Sequence, residues 1–157
     1  MTEPYKEEFP VISPDGRWIA YESDQSQSGS GEIYVRPFPN LDDGKWLIST
    51  RGGEAPMWAP NGRELYYYAG QMMAVTIETE PAFAAGNPEV LFRGEYFVTH
   101  SNSPYDISPD GLRFLMMKED PQPPEAAEPV ATPPTTELIV VENWDAALTR
   151  IAPVEGK

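Results

Sequence analysis

One ten-residue pattern occurs three times in this chain. It reads Ile12-Ser13-Pro14-Asp15-Gly16-Arg17-Trp18-Ile19-Ala20-Tyr21, then Trp58-Ala59-Pro60-Asn61-Gly62-Arg63-Glu64-Leu65-Tyr66-Tyr67, then Ile107-Ser108-Pro109-Asp110-Gly111-Leu112-Arg113-Phe114-Leu115-Met116. Each copy runs from an apolar residue through Ser or Ala, Pro, Asp or Asn, and Gly into an apolar-rich stretch. Proline presets φ for the first corner of a turn, and Asp-Gly or Asn-Gly accepts the positive φ that follows. Such a corner between two apolar runs signals an antiparallel hairpin. Pro14 and Pro60 are 46 residues apart, and Pro60 and Pro109 are 49 apart. A period in that range fits a four-stranded propeller blade.

The strands fall into place around the corners. In the first repeat they are expected at Phe9 to Ile12, Trp18 to Ser23, Glu32 to Pro37 and Lys45 to Thr50, with a Ser/Gly/Gln loop at Gln25 to Gly31. In the second they are expected at Ala55 to Ala59, Glu64 to Ala69, Met72 to Glu78 and Glu89 to Phe92. The third has Ser103 to Ile107, Arg113 to Lys118 and Glu137 to Glu142. Ile19 and Tyr21 alternate with Ala20 and Glu22, the period of two expected of a strand between packed sheets. The expected division is an arm over residues 1–8, with a short strand at Pro4 to Lys6, and blades over 9–50, 51–94 and 95–157. The last blade includes a Pro-rich loop at 119–135, which has no apolar period to pack. It ends in a short helix capped by Asn143, with Trp144, Ala147, Leu148 and Ile151 at helical spacing.

The fold class is therefore all-β, a β-propeller fragment of about three four-stranded blades with a short C-terminal helix. Three blades cannot close a ring, since propellers need four to eight. The end blades of such an array must be covered. Self-association is the economical remedy, with two copies head to tail forming a six-bladed homodimer. In that arrangement the N-terminal arm of one copy supplies the outer strand missing from the partner's third blade.

The S-P-D-G corner, followed by a strand, a polar gap and Gly31-Glu32-Ile33-Tyr34-Val35, resembles the TolB-like family of WD-type β-propeller repeats over about Phe9 to Trp144. Gly53 to Trp58, Arg63 to Tyr67, Met72 to Val75, Tyr105 to Gly111 and Glu137 to Trp144 look like the propeller that follows the kinase in many bacterial serine/threonine protein kinases. The resemblance implies a sensing or protein-binding platform and carries no catalytic residues onto this chain. The chain departs from that family in length, because earlier blades and any kinase or peptidase domain are missing from it.

A net charge of −14 disfavours nucleic acid and anionic membranes as partners. No cysteine is present, which removes disulfides, thiolate metal sites and a Cys nucleophile. No apolar stretch is long enough to span a bilayer, and Met1 to Pro10 lacks the core of a signal peptide. Read as full length, the chain is expected in the cytoplasm. No metal and no cofactor is expected: His100 is a lone histidine, and there is no H-E-x-x-H, Walker A or G-x-S-x-G motif. Asp15 and Asp110 are read as supports of their own turns. The Met and Trp residues are read as packing between sheets.

Ligands of propellers meet the loops at one channel mouth, and Arg51, Glu54, Arg93, His100 and Asn102 fall on such loops. They form the candidate contact surface, with no catalytic residue assigned. The expected function is a non-enzymatic protein- or ligand-binding scaffold, its partner a second copy, another protein or a small ligand. The alternatives are an accessory or sensor part of a bacterial kinase or peptidase, and a hydrolase or lyase with its site in the channel. The last needs charged residues on the inner strands, which as delimited above offer chiefly Asp106.

Overall fold

The computed structural model describes residues 5–26, 30–96, 105–119 and 136–142. The Pro-rich loop from 120 onward and the terminal helix expected after Glu142 lie outside the described residues, as do His100 and Asn102.

Three antiparallel sheets follow one another along the chain. The first joins β1 (Glu7–Ile12), β2 (Trp18–Ser23), β3 (Glu32–Pro37) and β4 (Trp46–Leu47) in that order. The second joins β5 (Glu54–Trp58), β6 (Glu64–Tyr68) and β7 (Met72–Glu78). Its outer position is shared, with β8 (Ala84–Ala85) along the end of β7 and β9 (Glu89–Phe92) along its start. The third joins β10 (Tyr105–Ile107), β11 (Arg113–Glu119) and β12 (Thr136–Glu142), three strands among the described residues.

Each corner links the first and second strand of its sheet. Gly16, Gly62 and Gly111 have φ of 73°, 70° and 71°, which glycine adopts without the Cβ penalty. The corners are locked alike. The Ser13 hydroxyl donates to Asp15 and accepts the Trp18 N–H at 3.0 Å, while Asp15 also accepts the Arg17 N–H at 3.1 Å. Ser108 and Asp110 repeat this with Arg113 N–H at 3.0 Å and Leu112 N–H at 3.0 Å. Asn61 stands in for Asp in the second corner, accepting the Arg63 N–H at 2.9 Å.

Two separate cores bind the sheets in chain order. Ala20, Ile33, Val35 and Ile48 of the first repeat pack with Trp58, Leu65, Tyr67, Val75, Ile77 and Phe83 of the second. Tyr66, Met72, Ala74 and Leu91 pack with Tyr105, Phe114 and Met116 of the third. Alternation along β6 sends Leu65 and Tyr67 to one neighbour and Tyr66 to the other. The second sheet is thus buried on both faces, as a blade inside a propeller is.

Several boundaries differ from those expected. β1 and β5 start earlier, at Glu7 and Glu54. Each contains a bulge, between Glu8 and Val11 and between Glu54 and Met57. In each bulge the residue before proline, Phe9 or Ala55, has φ of 52°. The extra residue interrupts the alternation, and proline is tolerated because both are edge strands. β4 is only Trp46–Leu47, after a 3-10 turn at Leu41–Asp43. The arm does not form a strand at Lys6. It is tied to its own first sheet, where the Lys6 N–H donates to Asp24 at 2.8 Å.

Candidate functional site

The inner edges of the sheets are β1, β5 and β10, and β1 lies beside β5. Their sequences, Glu-Glu-Phe-Pro-Val-Ile, Glu-Ala-Pro-Met-Trp and Tyr-Asp-Ile, contain four carboxylates and neither Lys nor Arg. Glu7, Glu8 and Glu54 come just before the two bulges, at the end of the edges away from the corners. Glu7 and Glu8 are exposed and Glu54 is half-buried, its backbone paired in register with Tyr68.

The connectors at this end are held firmly. Buried Glu32 accepts the Gly52 N–H at 3.0 Å and the Ser49 hydroxyl, and Ser49 Oγ accepts the Ile33 N–H at 2.8 Å. The Gly53 N–H donates to the Gly31 carbonyl at 2.8 Å, tying the link between the first two sheets to the β2–β3 loop. Gly53 has to be glycine: a Cβ there would sit 2.8 Å from the Tyr67 ring and 2.9 Å from Ile33. A rigid frame therefore holds Glu54 at the end of β5 away from its corner.

Phenols accompany these carboxylates. Burial raises the Tyr68 pKa, and the charge of Glu54 raises it further. Burial also raises that of Tyr96, with Tyr68 adding to it. Burial and then the Glu32 charge push Tyr67 up to about 12. These phenols stay protonated at neutral pH, so they offer O–H donors beside the carboxylates. Carboxylates in such a setting can bind a cation or transfer protons. Among the described residues no three His, Cys, Asp or Glu side chains come together to hold a metal ion.

Of the contact residues expected from sequence, Glu54 opens β5 and is half-buried. Arg51 is exposed on the link after β4, and Arg93 is exposed just beyond β9. His100 and Asn102 fall outside the described residues. Sequence reading left Glu8 off the inner strand because it began that strand at Phe9. The signal was present: Glu8-Phe9-Pro10 and Glu54-Ala55-Pro56 stand at the same distance before their corners.

The opposite end holds a groove of about 740 Å³ between the first two corners, lined by Asp15, Asn61, Arg63, Glu78 and Glu80 among others. Arg17 spans it, pairing with Asp15 at 2.8 Å and with Glu80 at 2.9 Å. Slight burial raises the Asp15 pKa, but hydrogen bonds from Ser13 and Arg17 outweigh it and hold the carboxyl below its ordinary value. These are the turn supports expected of the repeat aspartates.

Among the described residues no helix is long and apolar enough to cross a membrane. No family model matches the chain. No curated protein matches it either. Solved structures do. One is an oligogalacturonate lyase from Vibrio parahaemolyticus, with a TM-score of 0.60 and 14% sequence identity over 88% of this chain. The chain spans 38% of the length of that lyase. This likeness corrects the expectation of a non-enzymatic binding scaffold, which is not supported: the neighbour sharing the fold is an enzyme. What the likeness shows for this chain is its fold, an all-β segment of a propeller built from consecutive antiparallel sheets.

Proposed function

We propose that this chain is part of a TolB-like propeller that works in an enzyme, with Glu8 and Glu54, at the ends of the inner edges away from the corners, binding a cationic or uncharged substrate and serving as acid–base groups. The observation that supports this most is the lining of the inner edges, four carboxylates and no basic residue. A surface lined by negative charge alone repels anions and attracts cations. The lyase of similar fold is named for a polyanionic substrate. A net charge of −14 and this lining turn the present chain away from such substrates. Carboxylates of this kind are suited to general acid and base roles in hydrolysis or elimination.

The test is calorimetric titration with glucosamine, galactose and galacturonate oligosaccharides, together with chromatography of the products. The expected order of affinity is cationic, then neutral, then anionic, with binding and turnover lost in Glu54→Gln and Glu8→Gln. Preference for the galacturonate oligomer overturns the reading. A second reading, an accessory or sensor part of a bacterial kinase or peptidase, is favoured by the resemblance of Gly53 to Trp58 and Tyr105 to Gly111 to those propellers. Binding without any product separates it from the first.

A further inference from the structure

The two outermost faces of the array are the two halves of its own repeating interface. Counted from the corner glycine, Ala20, Tyr66 and Leu115 are equivalent positions, each facing the next sheet. Ala20 and Tyr66 are 0% exposed, whereas Leu115 is 39% exposed. Strand register makes Ile33, Met72 and Leu138 equivalent, through their partners Glu22, Tyr68 and Met117. Ile33 and Met72 are 0% exposed, and Leu138 is 65% exposed. The tail face thus offers leucines where both earlier repeats have buried side chains. A groove of about 330 Å³ beside Leu115 is bordered by Asp106, Ile107, Pro109 and Arg113.

The head face is the mirror case. Ile12 is equivalent to Trp58, and Ile19 is equivalent to Leu65 and Phe114. Trp58 is 6% exposed against the first sheet, while Ile12 is 50% exposed and Ile19 half-buried. Leu47 adds a further exposed apolar side chain on this face. Ile19 also borders a groove of about 190 Å³ that it shares with Glu7, Pro10, Tyr21, Arg36 and Leu41, while Tyr21 stacks on Tyr34 at 6.0 Å and Lys45 sits 5.7 Å over the Tyr34 ring.

We infer that the head face, through Ile12, Ile19 and Leu47, docks on the Leu115 and Leu138 face of a second copy, and the reverse pair closes a six-bladed ring. The occupant is a second copy because each face already has its match in the other: the contact continues the interfaces by which the second sheet joins the first and third. An arrangement repeated at both junctions gives a two-fold closed assembly rather than an open stack.

The test is light scattering and sedimentation of the chain over a hundredfold range of concentration. The expected mass is twice that of one chain. Leu138→Asp changes a side chain already in solvent in the single copy, so its fold survives, and the mass should halve. Ile19→Asp on the other face should do the same. Mixing the two variants restores one sound junction and should return part of the dimer. A wild-type mass of one chain, or any mass other than two, overturns the inference. So does a dimer untouched by both substitutions.

Discussion

Phe114 carries the junction between the second and third sheets, and its truncation has a calculable consequence. The ring is 0% exposed. It lies edge-on to Tyr66 with centroids 5.0 Å apart, edge-on to Phe92 at 5.4 Å, and tilted against Tyr105 at 6.2 Å. Phe114→Ala removes this buried surface and leaves a cavity that rigid neighbours cannot fill, a loss of about 3–5 kcal/mol. Phe114→Leu keeps most of the volume and loses the ring contacts, which costs about 1–2 kcal/mol. A domain of this size has roughly 5–15 kcal/mol in total. The alanine variant should therefore release the third sheet before the rest unfolds. Trp18, Trp46 and Trp58 all pack in or on the other core. In a Trp144→Phe background, urea unfolding followed by fluorescence reports that core, while circular dichroism reports all three sheets. The expected result is one coincident transition for the parent and an earlier dichroism transition for Phe114→Ala. A loss below about 1 kcal/mol, or no difference between Phe114→Ala and Phe114→Leu, refutes the assignment of the junction to this ring.

Four further outcomes follow from named residues. Gly53→Ala should lower stability by about 1–3 kcal/mol in thermal melts, because its Cβ meets the buried Tyr67 and Ile33 side chains. Gly16→Ala, with open space but φ of 73°, should lose only about 1 kcal/mol. Hydrogen bonds from Ser108 and Leu112 hold Asp110 below the ordinary carboxyl value of 3.8, as those from Ser13 and Arg17 do Asp15. Their contribution is full above that value and is lost as pH falls through the lower folded-state values, so Asp15→Asn/Asp110→Asn should flatten the acid limb of a stability–pH curve. Burial, joined by the Glu7 charge at Tyr21 and the Glu32 charge at Tyr67, pushes both phenols up to about 12. The stability this gives is complete below the ordinary value of 10.0 and lost as pH rises towards 12, with late phenol ionisation as the spectroscopic check.

The fold was legible where strand period and turn chemistry agree. β2, β3, β7 and β9 lie where alternation and their bounding Gly or Pro residues put them, and the corner hydrogen bonds follow from Ser, Asp and Gly in fixed order. The inner strands were harder. Pro10 and Pro56 break the alternation, and the bulged Phe9 and Ala55 take a φ that no side-chain pattern announces. Their starting points therefore lie earlier than the pattern puts them, at Glu7 and Glu54. β8 is a two-residue pairing of Ala84 and Ala85, too short for a period. The acidity of the inner edges emerges only when strands from separate repeats are set side by side, since no local motif contains it.

Hydrogen exchange at low and high protein concentration tests the central claim most directly, that three consecutive sheets stack in chain order with matching open ends. The second sheet is covered on both sides, so β6 and β7 should be the slowest to exchange and indifferent to concentration. β2 and β11 should slow as concentration rises and their outer faces become covered. Exchange in β6 as fast as in β11 at low concentration, or protection of β2 and β11 that does not change with concentration, contradicts the account.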